Sequence, residues 1–411
     1  MNRSVIIVLL LLLSYYSAIY PQGFKTEILS DDVYTLKVHP YGEPLEEPII
    51  TLNNNELIEI NFDLLIKTPE ILTYRISHFN SDGKPSQLLE SEYMSGFQNR
   101  YIEDYATSFN TTRDYVNYRL IIPNEDVNIK VSGNYAVSIY PENSDKPLLT
   151  ACFYVSENSA KIEGSVSPLT DKGMNSRYQA VNFEITCGNE VVTPIQDLRV
   201  FVHQNDRIDN EAALVKPLGI HNRTLNFEHN QALIFDAGNE YRVFEMTSHQ
   251  YNGLNIDNIS FRAPYYHAFL KESRIRSNRS YFYEQDINGR FLIRSLTSEE
   301  PDTEADYYLV HFFLPSPKPL RDDVYILSKA FNNAFNWRSR MEYSQIDGGY
   351  VKTVPIKEGY YNYLYVSAED TSSPANCADF EGNYYQTENE YRIWVYYRPL
   401  GARYDRLLGT T

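Results

Sequence analysis

Cysteine and tryptophan are scarce in this sequence: its 411 residues include three cysteines and two tryptophans. Cys152, Cys187 and Cys377 lie far apart and are odd in number. One disulfide is compatible with an oxidising compartment, but a scaffold held together by several disulfides is excluded. Buried thiols that pack as small hydrophobic side chains are the favoured alternative.

Long hydrophobic runs are also missing, with one exception at the N-terminus. Arg3 precedes an uninterrupted apolar run from Val5 to Leu13, and small residues follow at positions 14, 17 and 18. This order predicts a secretory signal peptide over residues 1–22 and therefore an exported protein. The alternative, a membrane anchor, needs about 20 apolar residues, and the run is far shorter. No second run of spanning length follows, so we predict no membrane span.

Positive charge is in deficit. The chain has 37 Lys and Arg against 54 Asp and Glu, a formal net charge of -17 at pH 7. Nucleic-acid phosphates demand a basic face, so nucleic acid is not a predicted partner. Binding to an anionic membrane surface is disfavoured for the same reason. The composition leaves protein and polymer partners open.

Motifs that carry enzyme chemistry are missing as well. The sequence has no G-x-S-x-G elbow, no H-E-x-x-H, no phosphate-binding P-loop and no C-x-x-C. The spacing of His221, His229 and His249 does not require a metal site, and isolated strand histidines are usually structural. Among 54 acidic residues, some pair always lies at a separation suited to glycoside hydrolysis, so that signal has no specificity. We predict no catalytic residue, metal, cofactor or small-molecule ligand.

Tyrosine and two-residue alternation are what the sequence has in abundance. Tyrosine occurs 36 times, and it favours strands in which the ring packs while the hydroxyl stays in water. In the run 134–140, Tyr135, Val137 and Ile139 share one face of a strand. Similar runs recur along the chain, separated by tight-turn pairs such as Asp82-Gly83 and Gly348-Gly349. The pattern predicts an all-β fold of serial, immunoglobulin-like β-sandwiches.

Three β-domains are predicted after the signal peptide. The small, polar segment 157–160 suggests one linker, and the acidic, proline-containing segment 298–306 suggests a second linker or a long loop. We therefore predict an N-terminal domain over 23–157, a middle domain over 158–298 and a C-terminal domain over 299–411. This division suits a chain with about 100–200 residues in each domain.

The C-terminal part carries one candidate binding surface, an aromatic platform on which sugar rings would stack. Tyr361, Tyr363 and Tyr365 share one face of a predicted strand. Trp394 and Tyr396 share a face of a later strand, opposite Ile393 and Val395. The alternative is cross-strand aromatic pairing that stabilises the sheet or fills the core. That alternative is favoured, because tyrosines are abundant everywhere in the chain.

A longer run in the last domain extends this candidate surface. The run begins with the strand 324–327, passes Phe331-Asn332-Asn333 and Trp337, and ends in 358–366. It resembles the early-set, immunoglobulin-like modules related to glycogen-binding domains, in which glucose stacks on two tryptophans. The resemblance places Trp337 near one of these positions, displaced by extra residues, and Tyr350 near the other. Both residues join the candidate aromatic surface.

Three blocks of sequence carry a second resemblance, which spans nearly the whole chain. The first runs from Gly96 through Arg100 and Tyr105 to Tyr135, the second over 281–290 and the third over 381–409. In this order and over this length, the chain resembles the plug protein family of the type IX secretion system of Gram-negative bacteria. We interpret the first block as structural rather than as a functional site, because Gly96 and Gly133 suit turns that need positive φ. The loop 78–83 departs from the family pattern, so no function is assigned to it.

The family resemblance implies a partner and a place. Such a protein lies in the periplasm, associated with the outer membrane from its inner side. It closes the periplasmic end of a large outer-membrane β-barrel translocon, without catalytic activity. A second hypothesis is a polysaccharide-binding surface module that uses the C-terminal aromatics. A third, a glycoside-processing enzyme, has only the acidic composition behind it. The residues that would contact the translocon are not assigned.

Overall fold

Strands account for most of the secondary structure. The computed structural model describes residues 23–188, 191, 194–371 and 373–411; the predicted signal peptide, 1–22, lies outside the described residues. Within these residues the α-helices are single turns: α1 (Glu90–Tyr93), α2 (Pro194–Asp197) and α3 (Pro301–Glu304). Two 3-10 turns span Gln231–Leu233 and Lys329–Phe331. The prediction of an all-β fold is confirmed.

The strands follow one another at short intervals along the chain. The first twelve are β1 (Glu27–Ile28), β2 (Val33–Pro40), β3 (Ile49–Thr51), β4 (Ile58–Leu64), β5 (Leu72–Phe79), β6 (Met94–Gly96), β7 (Arg100–Tyr101), β8 (Asp104–Thr107), β9 (Val116–Ile122), β10 (Val127–Ile129), β11 (Gly133–Pro141) and β12 (Leu149–Ser156). The next ten are β13 (Lys161–Ser167), β14 (Tyr178–Thr186), β15 (Leu198–Gln204), β16 (Gly219–His221), β17 (Thr224–Asn226), β18 (Ile234–Asp236), β19 (Arg242–Met246), β20 (Ile256–Arg262), β21 (Tyr265–Leu270) and β22 (Phe291–Ile293). The last are β23 (Tyr307–Pro315), β24 (Asp323–Leu327), β25 (Glu342–Ser344), β26 (Gly349–Lys357), β27 (Gly359–Ala368), β28 (Tyr391–Tyr397) and β29 (Arg406–Thr410).

The first unit, residues 23–157, packs two sheets around a core of its own. One sheet has the order β1-β12-β11-β5-β7 with β3 beside β12, and the other has the order β2-β4-β9-β8. The predicted inner face of β11 is confirmed, since Tyr135, Val137 and Ile139 are fully buried in this core. The core draws its side chains from residues 28–155 alone.

The second unit joins an early part of the chain to its end. One sheet has the order β13-β14-β17-β16 with β18 beside β14, and the other has the order β15-β28-β29. Val202 of β15 pairs with Ile393 of β28, so a strand near residue 200 is completed by one near residue 394. The core between the two sheets contains Phe183, Phe227 and Val395.

The third unit lies between the two halves of the second along the chain. One sheet has the order β19-β27-β22 with β24 beside β27, and the other has the order β20-β21-β23-β26-β25. Their facing sides bury Phe244, Phe312 and Tyr361 in a common core. A smaller core on the other face of β27 contains Leu327 and Val366.

Strand pairing crosses the predicted boundary at 298/299. Phe244 of β19 pairs with Tyr361 of β27, and Phe291 of β22 pairs with Tyr361 from the other side. We propose units drawn by their cores instead: 23–157, then 158–238 together with 391–411, and 239–390. The segment 298–306 then lies inside the third unit, where α3 leads into β23.

Candidate functional site

The residues of the predicted aromatic surface are mostly inside the protein. Tyr350, Tyr361, Tyr363 and Tyr365 are at most 6% exposed and belong to the core of the third unit. Trp394 and Tyr396 are buried in a small cluster with Phe201 and Leu407. The shared faces predicted for these strands are confirmed, but their side chains face the protein interior. They offer no platform to a sugar, which favours the alternative of core filling.

Trp337 is the exception in that set. Its side chain is 59% exposed, with the Arg338 guanidinium 4.8 Å from the ring centroid. The Nζ of Lys352 donates to its backbone carbonyl at 2.6 Å. A single tryptophan cannot form the two-sided stack that the resemblance to sugar-binding modules requires, so the polysaccharide hypothesis loses its structural basis.

A concave site lies where the three units meet. It is a cavity of about 420 Å³, within the size range of small-molecule sites. Its walls come from all three units and combine aromatic with charged side chains; among them are Phe24, Lys37, His39, Glu47, Tyr154, His203, Asp206, Trp394, Arg290, Phe291 and Lys329. None of these was predicted as a site except Trp394.

A network of ion pairs borders this cavity. The carboxylate of Asp206 lies 3.0 Å from Arg290 Nη2, 3.3 Å from Lys329 Nζ and 2.9 Å from Arg392 Nε. Arg290 also donates to Glu390 at 2.7 Å. Glu47 of the first unit pairs with Lys329 of the third. One connected network therefore ties all three units together.

Desolvation acts strongly on the lysine of this network. Burial lowers the pKa of the Lys329 ammonium to about 7, and the nearby carboxylates of Glu390 and Glu46 oppose that shift. Buried ion pairs add little net stability, but removing one partner leaves an uncompensated charge and is costly. The network is thus suited to fixing how the units meet.

A second polar junction uses the loop 78–83, to which the sequence assigned no function. Ser81 donates to Asp405 Oδ2 from its backbone N–H at 2.9 Å and from its hydroxyl at 2.7 Å. Asp405 is fully buried and lies 3.3 Å from Arg199. The loop joins the first unit to the β28–β29 hairpin of the second.

Sequence reasoning missed these junctions for an identifiable reason. Glu47 and Lys329 are 282 positions apart, and Ser81 and Asp405 are 324 apart, with no local pattern around them. Charged residues are usually solvated, so nothing in the sequence distinguishes these from the other charged positions. The one available signal for Asp405 was its place in the third block of resemblance.

The three cysteines lie in the protein interior. Cys152, Cys187 and Cys377 are buried thiols, as favoured, and burial raises the pKa of Cys377 to about 11.

In the part of the chain that is described, no three His, Cys, Asp or Glu side chains are grouped to hold a metal ion. Across the same residues, every helix falls short of the length and apolarity needed to cross a bilayer.

Large apolar side chains are exposed at several turns and loops. Phe97 is 76% exposed and Phe109 is 70% exposed, both in or after the first block of resemblance. In the third unit Phe282 is 79% exposed and Ile346 is 98% exposed. Exposed aromatic and aliphatic side chains of this size are the usual anchors of protein interfaces.

The fold defines a class, and comparison with known proteins gives its family. The chain is an all-β protein of sandwiches in series, joined by buried polar contacts. The family model "Type 9 secretion system plug protein 1st domain" matches residues 33–157. A crystal structure of a hypothetical protein from Parabacteroides merdae is 45% identical with a TM-score of 0.93, over 95% of this chain and 99% of that one. No curated protein matches. Through its first unit, residues 33–157, the chain belongs to the plug protein family of the type IX secretion system.

Proposed function

We propose that this protein is a non-catalytic accessory of type IX secretion that binds and seals the periplasmic end of the outer-membrane translocon. The observation that carries the proposal is the family match over the first unit, residues 33–157. The proposed location is the periplasm, at the inner side of the outer membrane. The predicted signal peptide supports export to that compartment.

The architecture suits a seal. A protein that blocks a wide channel has to keep its shape against the channel wall. Here the three units are tied by polar contacts such as the Glu47–Lys329 pair and the hydrogen bonds from Ser81 to Asp405. Strand β15 of the second unit also pairs with β28, which comes from the end of the chain. The second unit therefore holds the third unit at both of its chain ends.

A stable seal also needs an extended surface. Specific complexes typically bury on the order of 1,600 Å² in total, with aromatic and arginine side chains supplying most of the binding energy. The exposed side chains Phe97, Phe109, Phe282 and Ile346 provide positions at which the contact face can be mapped.

The first experiment is capture from the native envelope. We expect affinity-tagged, full-length protein to recover a large outer-membrane β-barrel as its main partner. Paired Ser variants of Phe97 and Phe109, and separately of Phe282 and Ile346, would map the face in contact. Repeated failure to recover a β-barrel, together with retention on a glucan column, would overturn the proposal.

The second experiment measures sealing itself. The purified translocon in a planar bilayer should conduct ions freely, and added protein from the periplasmic side should reduce the conductance. Binding without any reduction in conductance would support association and contradict sealing.

A further inference from the structure

The contact between the first and third units is predominantly polar. None of the apolar cores formed by the described residues contains side chains from both units: one core is confined to residues 28–155 and another to 244–380. These two units are joined by charged and hydrogen-bonded side chains, among them the Glu47–Lys329 pair, and by the ring contact between Tyr115 and Tyr307, whose centroids lie 5.4 Å apart. Interfaces between the domains of one chain are more polar than obligate interfaces, and domains joined in this way can move relative to each other unless the interface is large and hydrophobic.

Asp63 of β4 and Lys357 of β26 are at the centre of that cluster. Lys357 Nζ donates to Asp63 Oδ2 at 2.7 Å, and Asp63 is fully buried while Lys357 is 1% exposed. The Tyr307 hydroxyl donates to the same carboxylate oxygen at 2.6 Å. Lys357 also donates to the Asp302 carbonyl at 2.7 Å. One carboxylate of the first unit thus holds two groups of the third.

Neighbouring charged and hydrogen-bonded groups also join the first unit to the third. Lys37 of the first unit pairs with Asp302 at 2.7 Å, and the Tyr115 hydroxyl donates to the Ala305 carbonyl at 2.8 Å. The Lys357 ammonium also lies 4.2 Å from the centre of the Tyr115 ring. Two carboxylates and two ammonium groups therefore pair within one cluster, which is buried at Asp63 and Lys357 and partly exposed at Asp302. Such clusters confer specificity of orientation more than net stability.

The first unit meets the second unit differently. Tyr154 and Ile49 pack on the apolar cluster of Trp394 and Tyr396. The connecting segment 157–160 is hydrogen-bonded to β29 through Glu157 and Ser159, whose N–H groups donate to the carbonyls of Leu407 and Leu408. The cavity of about 420 Å³ lies between this apolar attachment and Lys37 of the polar cluster. One side of the first unit is attached to the second unit through apolar contacts, the Ser81–Asp405 hydrogen bonds and chain continuity. The other side, beyond the cavity, is attached to the third unit mainly through polar contacts.

We propose that the first unit is latched to the third rather than fused with it: Asp63 and Lys357 close a polar junction that can open about the Tyr154–Trp394 attachment while each unit stays folded. Opening would change the shape that the protein presents to a partner. The proposal concerns the chain by itself and stands independently of any role in sealing.

Hydrogen exchange of the full-length protein tests this. Two amides report on the closed junction: that of Phe109 donates to the Thr303 carbonyl and that of Thr112 to Asp306 Oδ2, both at 2.9 Å. In the double variant Asp63→Asn, Lys357→Met, which removes both charges together, we expect these amides to exchange at least tenfold faster. The amides of β11 in the core of the first unit should keep the protection they have in the parent protein.

Two further variants complete the test. Tyr307→Phe removes the hydroxyl that is hydrogen-bonded to Asp63 and Thr35 but leaves both charges in place, and it should shift the same reporters in the same direction by a smaller factor. Asp104→Asn removes the exposed Arg119–Asp104 pair within the first unit (2.7 Å) and should leave them unchanged. Unchanged reporters in the double variant would overturn the proposal. Equal loss of protection in reporters and core, in both junction variants, would show one cooperative fold and overturn it as well.

Discussion

The ring centroids of Tyr154 and Trp394 lie 4.1 Å apart. Tyr154 belongs to β12, the last strand of the first unit, and Trp394 belongs to β28, near the end of the chain. The Trp394 indole N–H also donates to His203 at 3.2 Å. This contact joins two units through side chains 240 positions apart.

Replacing this tryptophan should be costly. Trp394 is 2% exposed, so Trp394→Ala leaves a cavity, and we expect the free energy of unfolding to fall by about 3–5 kcal/mol. Trp337→Ala is the matched control, because Trp337 is 59% exposed, and its effect should be about 0.5 kcal/mol or less. Urea denaturation measures both. Similar losses for the two variants would contradict the contrast in burial.

Acid should weaken the first unit through His78. Burial lowers the pKa of His78 from 6.5 to about 4, with a partly offsetting hydrogen bond to the Ser132 carbonyl. Between these pH values the unfolded chain binds more protons than the folded one, so stability falls as the pH falls. The loss between pH 7 and pH 4 should reach about 3 kcal/mol from this group. In His78→Gln that part of the slope should disappear, whereas substituting the exposed His221 in the same way should leave the slope intact.

Replacing Lys329 should lower the free energy of unfolding more than replacing an exposed lysine does. Lys329→Met removes the nearest cation of Glu47 in a largely buried network and leaves Arg290 at 4.0 Å, and we expect a loss of about 3 kcal/mol. Adding Glu47→Gln should recover a good part of that loss, because no uncompensated carboxylate then remains. Lys161, in an exposed pair with Glu163, is the control, and Lys161→Met should change stability by about 0–1 kcal/mol. Thermal and urea unfolding both report the ranking, and a Lys329 variant as stable as the control would contradict it.

Gly96 should not tolerate a side chain. Its φ is +110°, and an added Cβ would lie 1.9 Å from the Asp126 carbonyl oxygen. Gly96→Ala should therefore cost about 3 kcal/mol or more, through backbone strain and displacement of the β6–β10 pair. Gly42 has φ +84° with nothing within 4 Å of the added atom, so Gly42→Ala should cost about 1–2 kcal/mol. Equal costs would mean that the contact at Asp126 is relieved without penalty.

The sequence predicted which side chains share a face of a strand, but it could not predict whether that face is buried or exposed. Tyr361, Tyr363 and Tyr365 share one face of β27, as the alternation indicated, because successive side chains of a strand point to opposite sides. Leu364 and Val366 on the other face are buried too, in a separate core. A strand covered on both faces has no polar side to reveal it, so the sequence suggested an exposed platform where the structure has an interior.

The sequence by itself determined the all-β class, the positive φ of Gly96 and the family resemblance, since alternation, positive-φ glycines and ordered blocks are local properties of the chain. Only the tertiary structure decided that residues 391–411 complete the second unit, and that Asp63 meets Lys357 and Glu47 meets Lys329. These pairings depend on chain segments hundreds of residues apart and on burial, which changes the energy of a charge without leaving any mark in its sequence neighbourhood.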